Sequence, residues 1–264
     1  MSTKITFLGS GSAFVLAEEN YQTNIVIEDT GDTPCKCLVD AGTTIPDALA
    51  KANIKPTDID KLFITHNHAD HTGGAEYLGF KTFFSTFPFG QKKINLIAHH
   101  SVLEELWDNN LKAGMRSLQG QTASLETYFN VDYLKDSSNF MVGDIKCEIV
   151  QTIHVMDDRR FMPSYGIMIN SGTQKIFFTG DTQLAPNQMS TFYQQADVIF
   201  HDCECKKYPN SVHAQYHELC TLPSEIKSKM WLYHYTTEND TISLPDAVAD
   251  GFKGFVNRGD VFNF

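Results

Sequence analysis

The stretch FITHNHADHTGG, Phe63 to Gly74, places three histidines and one aspartate within six residues and closes with two glycines. If these polar groups were packed in a core, each would need its own hydrogen-bond partner. The run KLFITH is short and apolar, which is typical of a buried strand, and it leads directly into the histidine turn. Imidazole and carboxylate groups gathered where a strand ends predict a metal site.

Length and charge limit the functions that this turn can serve. The chain has 264 residues, and no linker, charge block or low-complexity segment divides it, so residues 1–264 are predicted to form a single domain. The formal net charge of −11 repels polyphosphate backbones, which argues against a large nucleic acid as partner. No run of 18 apolar residues occurs, so we expect a cytoplasmic protein with no membrane partner.

The six cysteines do not follow the spacing of common zinc or redox motifs. Two pairs have C-x-C spacing, in CKC and in CEC. Zinc ribbons and thioredoxin-like motifs have C-x-x-C spacing instead. We expect free thiols in a reducing compartment. The segment HDCEC (201–205) looks like a second metal site, but no distant partner completes a set, so its cysteines are assigned to the core.

Strand-like runs fill both halves of the chain. The first half has KITFLG, NIVIED and CKCLVD; the second has FMVGDIKCEIVQTIH, YGIMINS, KIFFTGD and DVIFHD. Helices are predicted in TIPDALAKANI and HHSVLEELWDNNLKAG, whereas residues 116–140 look polar and irregular. Strand-rich halves with helices between and after them predict two sheets packed face to face with helices outside, a four-layer αββα sandwich of the α/β (α+β) class.

Further candidate ligands stand where other predicted strands end, in QTIHV, KIFFTGDT and MWLYHYT. A lone histidine in such a place is more often a hydrogen-bonded core or surface residue, but its coincidence with the histidine turn favours a ligand. Seven nitrogen and oxygen ligands suit a dinuclear site, and a set without thiolate suits Zn²⁺, Mn²⁺ or Fe²⁺ in a catalytic site open to water. The candidates are His66, His68, Asp70, His71, His154, Asp181 and His234.

THNHADH resembles the H-x-H-x-D-H motif of the metallo-β-lactamase fold superfamily, and LVDAG (38–42) and FTGDT (178–182) resemble two further elements of that fold. The resemblance runs from Lys4 to about Tyr235. It implies a metallo-β-lactamase sandwich that holds two divalent metal ions, zinc or, in its place, manganese. Residue by residue, it implies one metal on His66, His68 and His154, the other on Asp70, His71 and His234, and Asp181 bridging both.

The opening FLGSGSAF and the late segment HDCECKKYPNSVHAQY are similar to ribonuclease Z and its phosphodiesterase relatives. In those enzymes an acidic residue after a strand precedes a histidine by about ten positions, and Asp202 and His213 match that arrangement. His213 is the predicted general acid for the leaving alkoxide, Asp202 would orient its imidazole, and Asp70 belongs to the catalytic set as well as to the ligands. Alternatively, His213 is a surface residue at a helix start.

For a phosphodiesterase of this kind, two classes of substrate are considered. Ribonuclease Z grips tRNA through a basic arm, and residues 116–140 contain only Arg116 and Lys135 as cations, so tRNA 3′-processing is kept as the alternative. The motifs HADHTGG, TGDTQ, FHDCEC, VHAQYHEL and KMWLYHY resemble those of the phage anti-Pycsar phosphodiesterases. That resemblance implies a homodimer that hydrolyses cyclic nucleotides such as cCMP, cUMP, cAMP and cGMP to linear nucleotide monophosphates. It would disarm an antiphage defence in the host cytoplasm if the protein is phage-encoded.

Two other functions remain open on this scaffold: a nucleotide-sequestering protein without turnover, and a thioester or lactone hydrolase. Two groups are candidates for substrate contact. The aromatic stretch FFSTFPF, which begins at Phe83, could stack a base, build a dimer surface or form an ordinary hydrophobic edge. Arg159 and Arg160 in the loop MDDRRF could clamp a phosphate, unless the two neighbouring aspartates neutralise them.

Overall fold

The computed structural model describes residues 3–16, 20–85, 87–206, 211–236 and 244–264. Within these ranges the chain forms two seven-stranded sheets and a two-stranded hairpin. The strands of the first sheet, from one edge to the other, are β16 (Val261–Asn263), β1 (Thr3–Gly9), β2 (Asn24–Asp29), β3 (Cys35–Val39), β4 (Lys61–Phe63), β5 (Ile94–His99) and β8 (Phe129–Leu134).

The second sheet is built from the second half of the chain. Its strands, in spatial order, are β15 (Gly254–Phe255), β14 (Met230–Tyr233), β13 (Val198–Asp202), β12 (Lys175–Phe178), β11 (Tyr165–Asn170), β10 (Ile145–Gln151) and β9 (Asn139–Val142). The small hairpin pairs β6 (Ser117–Leu118) with β7 (Gln121–Thr122). The tail returns to the first sheet, where β16 pairs antiparallel with β1.

Helices connect and cover the sheets. They are α1 (Ile45–Lys51), α2 (Ala69–Thr72), α3 (Ala75–Phe83), α4 (His100–Glu105), α5 (Lys112–Met115), α6 (Leu125–Tyr128), α7 (Pro186–Gln195), α8 (Tyr216–Leu219) and α9 (Ser224–Lys227). A 3-10 turn (Pro56–Asp58) follows α1, and a π-helical turn (Leu106–Leu111) joins α4 to α5. None of the helices in the described ranges is both long and apolar enough to cross a bilayer.

The two faces of the second sheet pack against different layers of the fold. Phe178 and Phe200 face the first sheet, where both rings lie within 6.4 Å of the Phe7 ring. Their neighbours Phe177 and Ile199 belong instead to an apolar cluster with residues of α7 and α9. Because successive side chains of a strand point to opposite faces, one sheet can serve both layers. The predicted four-layer αββα sandwich is confirmed.

Parallel pairing brings several strand ends to one edge. Strands β3, β4 and β5 run parallel in the first sheet, and β12, β13 and β14 run parallel in the second. Strand β10 is antiparallel to β11, which is antiparallel to β12, so β10 ends at the same edge as β12. The loops beyond the carboxyl ends of such strands are where sites form in α/β proteins.

The structure refines two local predictions and agrees with a third. FMVGDIKCEIVQTIH is two strands, β9 and β10, because Gly143 turns the chain with φ of +58°. Residues 116–140 are not irregular: they contain the β6–β7 hairpin, α6 and β8. As predicted, each of the six cysteines, all within the described ranges, is a free thiol.

Candidate metal centre

The histidine turn begins directly after β4. His66 lies in the extended segment beyond the strand, His68 is the N-cap of α2, and Asp70 and His71 lie in the single turn of that helix. The extended segment followed by one helical turn directs all four side chains inward, and His66, Asp70 and His71 are buried.

Backbone contacts hold this turn against the segment that follows β3. The Ala41 N–H donates to the His71 carbonyl, and the Gly74 N–H donates to the Ala41 carbonyl, each over 2.7 Å. A Cβ on Gly42 would overlap the carbonyl oxygen of Asp70. Glycine at this position therefore allows the two strand ends to approach each other so closely.

Three histidines form what we call the imidazole cluster: His66, His68 and His154. His68 Nδ1 lies 3.1 Å from His66 Nε2 and 3.1 Å from His154 Nε2. His154 comes from the loop after β10, so this cluster joins the two sheets. The three facing nitrogen atoms are arranged as ligands of one ion would be.

Four further residues form what we call the carboxylate cluster: Asp70, His71, Asp181 and His234. Asp181 Oδ2 lies 3.2 Å from the Nε2 atoms of both His71 and His234. Asp70 Oδ2 also lies 3.2 Å from His71 Nε2. All four side chains are buried, and Asp181 and His234 follow β12 and β14 in the second sheet.

Asp181 stands between the two clusters. Its Oδ2 atom lies 3.8 Å from the Nε2 atoms of both His66 and His154, in addition to its contacts in the carboxylate cluster. One carboxylate oxygen thus faces imidazole nitrogens from both sides. This is the placement that a ligand shared by two ions requires.

Hydrogen bonds behind the imidazole cluster determine which ring nitrogens carry protons. The Thr65 hydroxyl donates to Asp40 over 2.8 Å, so its oxygen is left to accept from Nδ1 of His66, 3.0 Å away. His154 Nδ1 lies 2.8 Å from the Val212 carbonyl oxygen, which can only accept. In both rings the proton sits on Nδ1, and the Nε2 lone pair points into the cluster.

The same logic applies to the carboxylate cluster. His71 Nδ1 donates to Asp40 Oδ2 over 2.7 Å, and Asp40 is itself held by the backbone N–H of Thr65 over 2.8 Å. His234 Nδ1 lies 3.3 Å from the hydroxyl of Thr23, whose own hydrogen is donated to a backbone carbonyl. These bonds orient the Nε2 atoms of both rings toward Asp181.

Two buried atoms of the carboxylate cluster lack a hydrogen bond. Among the residues that the structure describes, Asp181 Oδ1 and His234 Nε2 make no hydrogen bond. Buried polar groups are normally satisfied, and such exceptions mark places where an ion or water completes the network. Inward lone pairs together with carboxylate oxygens and no thiolate fit divalent metal ions.

Burial and neighbouring charges keep two of the histidines neutral and two of the carboxyls ionised. Burial lowers the pKa of His154 and of His234 to about 4, so both rings are neutral near pH 7. Burial alone would raise the pKa of the two carboxyls, but the surrounding histidines outweigh it. They hold the pKa of Asp181 well below its usual range, and His71 brings the pKa of Asp70 to about 2.

His71 faces three carboxylates. Burial by itself lowers the pKa of an imidazole, but the charges of Asp181, Asp70 and Asp40 outweigh this effect and hold the pKa of His71 well above its ordinary value. The space beside its Nε2 atom therefore strongly favours positive charge. A divalent cation would supply that charge.

His213 and Asp202 form a pair beside both clusters. His213 Nδ1 lies 2.7 Å from Asp202 Oδ2, and that oxygen also accepts from the backbone N–H of Thr182 over 2.8 Å. The His213 ring centroid is 4.9 Å from those of His154 and His234. Burial would lower the pKa of His213, but Asp202 outweighs it and raises the pKa to about 9. The ring is therefore protonated at neutral pH.

The three predicted substrate contacts are placed differently. Phe83 is 8% exposed and packs edge-on against Tyr128, so its ring is not available to stack a base, which corrects that expectation. Arg160 pairs with Glu105 over 2.8 Å, and Arg159 lies 3.5 Å from Asp158. Both arginines thus have acidic partners in the structure. This agrees with the alternative that acidic residues neutralise their charge.

Sequence reasoning assigned no role to the groups that orient the ligands. Asp40 contacts His71, and its position at the end of β3 in LVDAG was the signal that could have identified it. In the second apparent metal motif, HDCEC, only Asp202 belongs to a candidate metal group of the described residues, with His213 and His234, whereas His201 Nε2 lies 2.7 Å from the Tyr193 hydroxyl. Residues 207–210 of the longer motif HDCECKKYPNSVHAQY lie outside the described ranges.

Comparison with known sequences finds one family along nearly the whole chain. A family profile described as anti-Pycsar protein Apyc1 matches residues 3–262. Among similar proteins, the anti-Pycsar protein Apyc1 of Paenibacillus sp. (strain J14) is 33% identical, with 99% of each chain covered. The protein of that name from Bacillus phage vB_BveM-Goe7 is 30% identical, with 89% of each chain covered.

Comparison with solved structures agrees with the layered architecture. The metallo-β-lactamase fold protein YhfI of Bacillus subtilis superimposes with a TM-score of 0.74 over 100% of this chain and 99% of that one. The two sequences are 17% identical, so this likeness shows the shared fold alone.

Proposed function

The chain belongs to the anti-Pycsar protein Apyc1 family, and on that premise we propose that it is a metal-dependent phosphodiesterase that hydrolyses cyclic nucleotides. Its substrates would be cyclic mononucleotides such as cCMP, cUMP, cAMP and cGMP, and its products linear nucleotide monophosphates. The observation that supports this most is the position of Asp181, whose Oδ2 atom faces imidazole nitrogens of both clusters.

Two divalent ions, zinc or manganese, are proposed for these clusters. The imidazole cluster would hold one, the remaining residues of the carboxylate cluster would hold the other, and Asp181 would be shared. When bound, the ions would supply Lewis-acid activation of the phosphate ester and of water. The protein's part is to present seven donors to the ions, and the tautomers and the low pKa values of His154 and His234 keep those two rings neutral.

His213 is the proposed general acid. Its Nδ1 proton is engaged by Asp202, which leaves Nε2 as the atom that gives a proton to the departing alkoxide. Asp202 fixes the ring orientation and stabilises the imidazolium, and its backbone contact with Thr182 ties it to the segment that carries Asp181. The pKa of about 9 keeps this acid protonated before the reaction.

The setting follows from the family and the charge. With a net charge of −11, the protein suits a small substrate better than a polynucleotide. The proposed protein is a single domain spanning residues 1–264 and forms a homodimer. It would act in the cytoplasm of a bacterial host, where it would remove a cyclic nucleotide signal of antiphage defence.

A hydrolysis panel tests the proposed function. The purified protein, loaded with Zn²⁺ or Mn²⁺, is incubated with cAMP, cGMP, cCMP, cUMP, a cyclic dinucleotide and a precursor tRNA, and products are separated by chromatography. We expect cleavage of the cyclic mononucleotides. Cleavage of the tRNA alone would indicate the ribonuclease Z alternative, and metal binding without any cleavage would indicate a sequestering protein.

Two histidine variants make the panel specific to the site. His213→Ala should lower turnover of the cyclic nucleotides by about 100-fold or more while metal content stays unchanged. His100→Ala is the matched control, because its side chain is 50% exposed and lies beside Glu104 on α4. Equal turnover in both variants would remove His213 from the mechanism.

A further inference from the structure

Phe14 presents an exposed aromatic ring beside the candidate metal centre. Its side chain is 76% exposed, although it is large and apolar. It lines one small cavity together with His213 and His234, so the ring and the proposed reacting groups open into the same space.

The loop that carries Phe14 is tied to the metal centre through its backbone. The His234 N–H donates to the Ser10 carbonyl over 2.7 Å, and the Ser12 N–H donates to the Tyr235 carbonyl over 3.2 Å. On the other side, the Asn20 amide donates to the Ser10 hydroxyl over 3.1 Å. The position of the loop next to His234 is therefore fixed by hydrogen bonds rather than by burial of Phe14.

A lysine adds positive charge to this cavity. Lys206 Nζ lies 5.7 Å from the centroid of the Phe14 ring, within the range of a cation–π contact. Lys206 follows β13 and lines the same cavity as Phe14 and His213, together with Glu204, whose carboxylate accepts from the Gln215 amide over 2.7 Å. An exposed ring and a cation beside a phosphate-binding centre suit a ligand that has both an aromatic and an anionic part.

We infer that Phe14 binds the nucleobase of the substrate by stacking. The inference rests on the proposed function, which places the cyclic phosphate at the metal centre. The base of a nucleotide is one ribose away from its phosphate, and Phe14 lines the same cavity as His213 and His234. Every base has a flat π face, so one ring accepts purines and pyrimidines alike. Phe83 cannot serve in this way because it is buried.

Steady-state kinetics of Phe14→Ala, Phe14→Trp and a control variant test this role. The control is Phe87→Ala, which removes a ring of equal size that is 84% exposed in the aromatic stretch after α3. We expect Phe14→Ala to raise KM for cCMP and cAMP by about 5- to 100-fold, with little change in kcat. Phe14→Trp should keep the wild-type KM, and so should Phe87→Ala.

A substrate without a base separates stacking from other effects. For 1-O-methylribose 3′,5′-cyclic phosphate, followed by phosphorus NMR, wild type and Phe14→Ala should have the same kcat/KM. An unchanged KM for cyclic nucleotides in Phe14→Ala, or an equal loss with the substrate that lacks a base, would overturn the stacking role. A loss in Phe87→Ala alone would assign the base to the aromatic stretch instead.

The same measurements distinguish this inference from the proposed function. If the wild-type protein hydrolyses neither cyclic nucleotides nor the substrate that lacks a base, the proposed function fails, and stacking fails with it. If the wild type hydrolyses both and Phe14→Ala does so equally well, only the stacking role is overturned.

Discussion

Two buried networks of charged groups, the carboxylate cluster and the environment of Glu28, are completed in different ways. Glu28 lies on β2 and is 7% exposed, with Oε2 2.5 Å from Lys4 Nζ and Oε1 3.0 Å from Lys36 Nζ. Both lysines are its cross-strand neighbours, on β1 and β3. Each oxygen of this carboxylate thus has a cation that the protein itself provides.

In the described part of the chain, the carboxylate cluster is not paired with lysines as Glu28 is. Asp70, Asp181 and nearby Asp40 surround His71, yet Asp181 Oδ1 and His234 Nε2 are left without hydrogen bonds in the described part of the chain. A network whose charges are paired within the protein needs no ligand, whereas unsatisfied buried atoms are expected where an ion or a water completes the network. Four predictions test whether this contrast holds.

The largest effect is expected for Asp181→Ala. The substitution removes the oxygen that faces both clusters, so metal content and hydrolysis of bis(p-nitrophenyl) phosphate should each fall by more than about 100-fold. Metal is measured by mass spectrometry on protein dialysed against trace Zn²⁺. Glu28→Gln is the control and should retain both properties, while full metal content in Asp181→Ala would contradict a shared ligand.

Removing the metal with a chelator should change the unfolding free energy only where the carboxylate cluster is intact. A ligand present at 100 to 1,000 times its dissociation constant stabilises the fold by about 3–4 kcal/mol, so EDTA should lower the unfolding free energy of the wild type by that amount. The same loss is expected in Glu28→Gln, and almost none in Asp181→Ala. Chemical denaturation with and without EDTA measures all three, and an equal loss in Asp181→Ala would break the contrast.

A smaller effect is expected for Asp40→Asn. The amide no longer fixes the His71 tautomer through a charged acceptor, and loss of such a contact typically lowers metal affinity by about 10- to 100-fold. Competition with a chromophoric chelator measures this affinity. Asp29→Asn is the matched control, because Asp29 is also buried but accepts from the backbone N–H groups of Gly31 and Asp144. Equal affinities in the two variants would show that Asp40 is only structural.

The smallest effect is expected for Glu28→Gln, which should lower the unfolding free energy by about 1–2 kcal/mol at pH 7 and leave turnover unchanged. Burial alone would raise the pKa of Glu28, but Lys4 and Lys36 outweigh it and hold the pKa below the ordinary 4.5. The contribution of Glu28 is therefore fully present above pH 4.5 and is lost as the pH falls through the folded-state pKa. Urea titrations from pH 7 to pH 3 should show the two proteins converging, and a constant difference would contradict the ion-pair origin.

The candidate ligands could be predicted because a ligand is identified by the type of its side chain, which the sequence gives directly. His66, Asp181 and His234 follow apolar strands, and a polar group at such a place is conspicuous in a sequence. The groups that orient them were harder to foresee. Val212 acts through its carbonyl oxygen, which every residue has, and Thr23 lies 211 positions from its partner His234.

Apolar stretches were predicted less well because their pattern is ambiguous. Phe83 was a candidate for substrate contact. It is the last residue of α3, and its position on the helix places its side chain in the core. Conversely, Phe14 gave no signal within FLGSGSAF, since its exposure depends on how the loop is tied to His234. Three-dimensional neighbours decide such cases, and a short motif does not specify them.

The two clusters join residues that are far apart along the chain, and this matters for the entropy of unfolding. His71 and Asp181 are 110 positions apart, and His68 and His154 are 86 apart. All six cysteines are free, so no disulfide closes such loops. Ions held at both clusters would close these loops instead, for as long as they stay bound while the chain unfolds. The two halves of the sandwich would then be held together by a cross-link that a chelator removes without reduction.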